Sequence, residues 1–295
     1  MKIQSCSIDV PPQVKGGRCV NHCAFCVAQM TEENYKNQMD VNLPFFDLYL
    51  KDYLKRLEFV RDNGCNTLML TGNIEPQQNR VFLTYFGMFM LMMDRPFRCI
   101  EMQTTGVGID REYLRFLRNH VGVNTISLSM SNMFDAAQNG AINGTPKERQ
   151  VDIAGLCQNI KEYDFNLRLS LNLNSSYNER RYEEIFAYAS QTLGADQITF
   201  RVMYDSGRQT PQDEWIEAHR IDDDWLSGLY GYIREAGKPL SVLEYGQVQY
   251  DIWGMSTIID DDCMNKELTA DYKYLILRPN CKLYSQWDSP ASLIF

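Results

Sequence analysis

The sequence has no cluster of lysine or arginine. Over 295 residues, 29 basic side chains stand against 38 acidic ones, a net charge of −9. Nucleic-acid binders normally turn a basic face to the phosphates, so a DNA or RNA partner is disfavoured. A long apolar run is missing too. The most apolar stretch, Val81 to Met93, is interrupted by Thr84, Tyr85 and Gly87 and is too short to span a bilayer. The opening residues, Met1-Lys-Ile-Gln-Ser-Cys, lack the apolar core of a signal peptide. No membrane partner is expected, and the expected location is cytoplasmic. The nine cysteines are an odd number, which argues against a disulfide framework in a chain without a secretory signal. There is no internal repeat and no low-complexity segment. With 44% apolar residues, a chain of this length can bury a large core.

What the sequence does hold is a tight group of thiols. Cys19-Val-Asn-His-Cys23-Ala-Phe-Cys26 places three within eight residues, in a loop opened by Gly16 and Gly17. Thiolates are the usual ligands of iron–sulfur clusters. A [4Fe–4S] cluster held by three of them keeps one iron open to a ligand that is not protein. A Cys3His zinc site is the alternative, with His22 as fourth ligand. His22 directly precedes Cys23, a poor position for tetrahedral closure with both neighbours.

Apolar periodicity alternates strands with helices. Strands are expected near Lys2–Val10, Asn66–Thr71, Phe97–Gln103, Asn124–Met130, Asn166–Leu173 and Gln197–Met203. Helices are expected over Phe46–Asn63, Asn79–Met93, Asp110–Asn119, Asp152–Tyr163 and Arg181–Leu193. Such alternation means a parallel sheet with right-handed crossovers. The fold class is therefore α/β, a partial (β/α)6 barrel with a small C-terminal α+β extension. Residues 1–205 form the barrel. Residues 206–295 complete the core and cover it, with a helix near Asp222–Ala236 and a terminal hairpin around Pro279-Asn280.

The strands also divide their faces. Leu167, Leu169, Leu171 and Leu173 alternate with Arg168, Ser170, Asn172 and Asn174. Ile126, Leu128 and Met130 alternate with Ser127, Ser129 and Ser131. Alternate residues point to opposite faces, so one face packs on helices and a polar face lines the interior. A half-exposed antiparallel sheet would give the same alternation, but the intervening helices argue for two covered faces. A cation inside the lumen, such as Arg168, needs an anion within reach.

With Phe25 as the aromatic residue before the last cysteine, the loop resembles the CxxxCxΦC motif of radical S-adenosylmethionine (SAM) enzymes, Φ being aromatic. Leu70-Thr-Gly72-Asn73-Ile-Glu75-Pro76 resembles that family's Gly-Gly-Glu-Pro motif, with Asn73-Ile74 in place of the second Gly. Glu101-Met-Gln103-Thr104-Thr105-Gly106 resembles its Thr-Asn-Gly strand ends. Ile126-Ser-Leu-Ser129-Met-Ser131 resembles the Ser-Leu-Asp segment of the molybdenum-cofactor cyclase-like branch, the closest in pattern, here without a cysteine-rich auxiliary-cluster domain. The resemblance runs over residues 2 to 205.

It implies a [4Fe–4S] cluster on Cys19, Cys23 and Cys26. It also implies SAM contacts from Phe25, Gly72, Asn73, Glu75, Gln103, Thr104, Thr105, Ser129, Arg168, Asn172, Arg201 and Met203. In such enzymes the reduced cluster cleaves SAM, and a 5′-deoxyadenosyl radical abstracts hydrogen from the substrate. An electron donor such as flavodoxin or ferredoxin is implied as partner. No catalytic acid or base is singled out. After residue 205 only Cys263 and Cys281 remain, too few for an auxiliary cluster, and eighteen residues before Cys19 leave no room for a peptide-recognition domain. With the acidic charge, this favours a small-molecule substrate, a nucleotide or cofactor precursor. Peptide or RNA modification is the alternative, and a non-catalytic cluster- or SAM-binding protein is the alternative of another class.

Overall fold

The computed structural model describes residues 2–14, 16–30, 48–243, 247–261, 271–287 and 289–295. The six expected strands are present: β1 (Lys2–Asp9), β2 (Thr67–Thr71), β3 (Cys99–Thr104), β4 (Thr125–Met130), β5 (Asn166–Leu173) and β6 (Gln197–Val202). They pair in chain order, all parallel. Helices α1 (Leu50–Asp62), α2 (Arg80–Met92), α3 (Arg111–Phe116), α4 (Ala136–Ile142), α5 (Ile153–Glu162) and α6 (Tyr182–Ala187) make the crossovers. Their starts are locally written. Asn79, Asp110 and Asp152 each accept a hydrogen bond from a backbone N–H in the first turn that has no partner within the helix. The expected start of α1 at Phe46 lies outside the described residues. Helices α3 and α6 each run on into one wider π-helical turn, Leu117–Val121 and Tyr188–Thr192.

The C-terminal third was read only in part. It adds α7 (Pro211–Ala218), α8 (Asp223–Ala236) and five strands: β7 (Lys238–Val242), β8 (Val248–Ile252), β9 (Met255–Asp260), β10 (Asp271–Leu277) and β11 (Leu283–Tyr284). The terminal hairpin is there as β10 and β11. However, β10 also pairs in parallel with β1, and β9 pairs in parallel with β6. The sheet order is β11-β10-β1-β2-β3-β4-β5-β6-β9-β8-β7. Eight neighbouring strands, from β10 round to β9, are thus parallel. No ladder joins β9 to β10 among the described residues, so the barrel is not closed. A side-chain ion pair spans the seam instead, from Lys273 Nζ on β10 to Asp260 Oδ1 on β9 at 3.3 Å.

The two faces separate as the alternation requires. Leu167, Leu169 and Leu171 on β5, Ile126 on β4, and Ile198 and Phe200 on β6 are fully buried in one core between sheet and helices. Among the described residues no helix is long and apolar enough to cross a membrane. The face assignment predicts unequal costs. Leu169→Ala should lower unfolding stability by about 2–5 kcal/mol, the range for emptying a buried leucine site. Ser129→Ala, on the other face, should change it by under about 1 kcal/mol, as for a position without packing load. Denaturant unfolding of both variants checks this, and the reverse order would put the strand faces the wrong way round.

Candidate functional site

The cysteine loop follows β1 and is held at both ends of its span. The Val20 N–H donates to Gln78 Oε1 at 2.9 Å, and Gln78 Nε2 donates back to the Arg18 carbonyl at 3.1 Å. On the other side the loop rests on the end of α4. The N–H groups of His22 and Ala24 donate to the carbonyls of Asn143 (3.2 Å) and Ile142 (3.1 Å). Gly144, at φ +57°, is needed there, because a Cβ would stand 2.4 Å from the His22 carbonyl oxygen. Asn21 is the buried pin of the loop. Its amide donates to Glu75 Oε1 (3.0 Å) and Thr105 Oγ1 (2.8 Å), and its oxygen accepts from Thr145 Oγ1 at 3.0 Å.

The three thiols are half-buried. Burial pushes Cys19 up to about 11, against a hydrogen bond from the Asn21 backbone and with the Glu75 carboxylate adding to the rise. Cys23 is pushed up further, by burial first and then by Cys26 and Glu75. At neutral pH these two groups hold protons until a metal replaces them. His22 is exposed and outside the cavity described below. Among the described residues no three His, Cys, Asp or Glu side chains converge as ligands of a single ion would.

Beyond β2 the chain turns through Gly72 and Asn73 to Glu75. Gly72 has φ +147°, and a Cβ there would meet Asp9 Oδ1 at 2.7 Å and the Val10 carbonyl at 2.8 Å. The Glu75 carboxylate, 7% exposed, is the hub of this end of the barrel. Oε1 accepts from Asn21 and from Thr105 Oγ1 (2.8 Å). Oε2 accepts from Thr104 Oγ1 (2.5 Å), Gln77 Nε2 (2.9 Å) and the Thr105 N–H (3.1 Å). One acid thereby joins the cysteine loop, the β2 turn and the end of β3.

These pieces line one cavity of about 460 Å³ at the carboxyl ends of the strands. Cys19, Cys23, Phe25 and Cys26 form one wall, with Gly72, Asn73 and Glu75 beside them. Gln103, Thr104 and Thr105 enter from β3 and its end, Ser129 from β4 and Asn172 from β5. Arg201 and Met203 come from β6 and just after it. Phe25 also packs against Trp215 of α7, ring centroids 5.9 Å apart, so part of the C-terminal third backs the cysteine loop.

Arg168 is the exception among the expected site residues. It is on the interior face but does not line the cavity. The anion that its charge requires is supplied by the protein: Nη1 is bonded to the Glu101 carboxylate, itself 1% exposed, and Nε donates to Gln197 Oε1 at 2.7 Å. Alternation gives the face of a strand residue but not its height along the barrel. Arg168 is the third residue of β5, below the level of Ser129 and Asn172.

Other residues of the wall carried no signal. Asp260, Lys273, Tyr274 and Trp287 reach the cavity from strands and a loop of the C-terminal third, as does Gln247. Asp260 holds two cations, Lys273 and Arg201, the latter at 3.4 Å, while Arg201 Nε donates to Ser170 Oγ at 2.6 Å. A second hollow, lined by Arg98, Asn124 and Lys161, opens at the amino ends of the strands. In parallel α/β folds chemistry sits at the carboxyl ends.

No protein-family model and no curated protein matches the sequence. Solved structures do. Native anSMEcpe with bound AdoMet (SAM) is 12% identical at a TM-score of 0.56, over 98% of this chain and 77% of that one. SuiB of Streptococcus suis, bound to SAM, is 14% identical at 0.47, over 83% of this chain. Coproporphyrinogen III oxidase (HemN) from Escherichia coli, a radical SAM enzyme, is 15% identical at 0.49, over 80% of this chain. The chain spans about half the length of the latter two, 53% and 54%. At these identities the likeness is one of fold, and it rests on anSMEcpe: the chain shares the open, mostly parallel barrel of that structure.

The hub yields a prediction. Glu75→Gln keeps the size but replaces acceptor oxygen with an N–H2 facing donors, leaving buried groups unpaired at a cost of about 1–3 kcal/mol. Glu75→Gln should lower unfolding stability by about that amount. Denaturant unfolding checks it, and a wild-type midpoint would remove Glu75 from its central place.

Proposed function

We propose that the chain is a radical SAM enzyme acting on a small molecule, a nucleotide or a cofactor precursor. The observation that carries this is the meeting of Cys19, Cys23 and Cys26 with the ends of β2 to β6 around one cavity. The donor set fits the group: three thiols serve three irons and leave one for SAM. When bound, the cluster supplies the electron that breaks the SAM sulfonium and so starts hydrogen abstraction from the substrate.

This chain's own residues position and shield. Gly72 lets the β2 turn lie close against Asp9 and Val10 at the cavity wall, where the turn would meet the methionine end of SAM, and Glu75 fixes that turn. Ser129 and Asn172 offer a hydroxyl and an amide that would hold the ribose. Arg201, steadied by Asp260 and Ser170, places a guanidinium where a carboxylate can pair with it. Phe25 and Trp215 keep water from the cysteine loop, which favours the intended reaction over side reactions.

The remaining wall supports a small, partly aromatic or charged substrate. Tyr274 and Trp287 offer ring faces and Lys273 a charge. Peptide modification is the competing reading. Of the two cysteines after residue 205, Cys263 lies outside the described residues. Cys281 is buried, with its thiol on the carbonyls of Tyr49 and Pro279 and pushed up to about 12 by burial.

The test is anaerobic. Reconstituted protein should hold about four iron and four sulfide per chain, and Cys23→Ala should lose them. With dithionite and SAM the wild type should release 5′-deoxyadenosine, faster with the low-mass fraction of a cell extract than with its peptides. Iron retained by Cys23→Ala would overturn the cluster assignment. Full iron and SAM binding without 5′-deoxyadenosine would favour a non-catalytic SAM-binding protein, and stimulation by peptides alone would favour the competing substrate class.

A further inference from the structure

Behind the cavity lies a buried ion pair that the reading above does not use. Asp9 is the last residue of β1 and Arg278 follows β10; they are 1% and 2% exposed. Arg278 Nη1 donates to Asp9 Oδ2 at 2.9 Å. Neither residue lines the cavity. Taking two charges out of water costs several kcal/mol per ion on the usual order of magnitude, and an apolar pair of the same volume is often as stable. Stability alone is therefore a poor reason for this pair, and its neighbours suggest another.

On one side Asp9 backs the β2 turn. Its Oδ1, without a hydrogen-bond partner, stands 2.7 Å from where a Gly72 Cβ would be. Burial pushes the Asp9 carboxyl up, while the Arg278 guanidinium pulls it down. On the other side the guanidinium holds Trp287. Nη2 donates to the Trp287 carbonyl, and Cζ lies 4.7 Å from the centre of the Trp287 ring. Gly72, Asn73 and Trp287 all line the cavity. Two cavity walls, over two hundred residues apart in sequence, thus share one planar cation. A guanidinium can serve both arms at once, and an ammonium is a single point charge.

We infer that Asp9 and Arg278 are positioning residues of the SAM site, a clamp that fixes the Gly72–Asn73 turn from behind and ties it to Trp287. The inference rests on the reading of this cavity as a SAM site. The clamp makes β10 part of that site, although it lies beyond the six βα units. It also states what Gly72 is for: any side chain there would push the carboxylate off the turn.

The experiment uses the iron-replete protein, prepared anaerobically as wild type, Asp9→Asn and Arg278→Lys. SAM affinity is measured by equilibrium binding and iron by assay. Backbone hydrogen exchange is followed by mass spectrometry with and without SAM. Both variants should keep their iron, because the cysteine loop is anchored elsewhere, and both should bind SAM about tenfold more weakly or worse, the scale of one buried group left unpaired. In the wild type, SAM should slow exchange at Cys281 and Arg278, whose N–H groups bond within the β10–β11 turn outside the cavity. That linkage is the reciprocal of the effect of the clamp on SAM, and a merely structural pair would not produce it. Wild-type SAM affinity in either folded variant overturns the inference. So does unchanged exchange at residues 278–281 in SAM-saturated wild type, a readout that stands even if both variants fail to fold. No SAM binding by the wild type overturns the underlying reading, and the clamp with it.

Discussion

One carboxylate organises the cavity end of the barrel. Glu75 has two oxygens and therefore room for about four hydrogen bonds. Its donors are Asn21 from the cysteine loop, Gln77 from the turn after β2, and Thr104 and Thr105 from the end of β3. Each is a loop or strand-end group that would otherwise be solvated or buried unpaired. Asn21 passes the constraint on, through Thr145, to the segment after α4. The positions of Cys19 and Cys23 on either side of Asn21 are held in part by this chain of contacts.

Much of this was legible in the sequence. The alternation of β4, β5 and β6 assigned the core face correctly, because Leu169, Ile126 and Phe200 have no stable place except under helices. The family resemblance implied contacts from Gly72, Thr104, Ser129, Asn172 and Arg201, and they meet at one cavity. The same alternation misplaced Arg168. A period of two residues carries no depth, and depth depends on register: Arg168 sits opposite Gln197 near the foot of β6, while Asn172 sits opposite Arg201 near its top. Helix α4 went unread because Ala-Ala-Gln-Asn-Gly-Ala-Ile offers no apolar stripe. Its one local signal is the Asp135 cap, whose carboxylate accepts from the N–H groups of Ala137 and Gln138.

The C-terminal third was read only in part, for a different reason. The segments Met255–Asp260 and Asp271–Leu277 look like the short strands of any extension. What makes them part of the barrel is pairing with β6 and with β1, the second across more than 260 residues. Local pattern contains no term for such a partner. Hence Asp260, Lys273 and Trp287 were missed, although they stand in the same cavity as the residues that were found.

Those strands bear on why the barrel is open. Eight parallel strands are enough to close a barrel, and a closed one fills its interior with layers of branched apolar side chains. Here the interior carries Arg168, Glu101, Arg201, Asp260 and Lys273, each with a protein partner of opposite charge. Closing the β9–β10 ladder would contract the lumen around these charges. Leaving it open forfeits several backbone hydrogen bonds, each worth about 1 kcal/mol net. The Lys273–Asp260 pair spans the gap without drawing the strands together. A polar, ligand-sized lumen and an unclosed seam are therefore one constraint: the same side chains that make the cavity hospitable to a charged cofactor keep the sheet from sealing it.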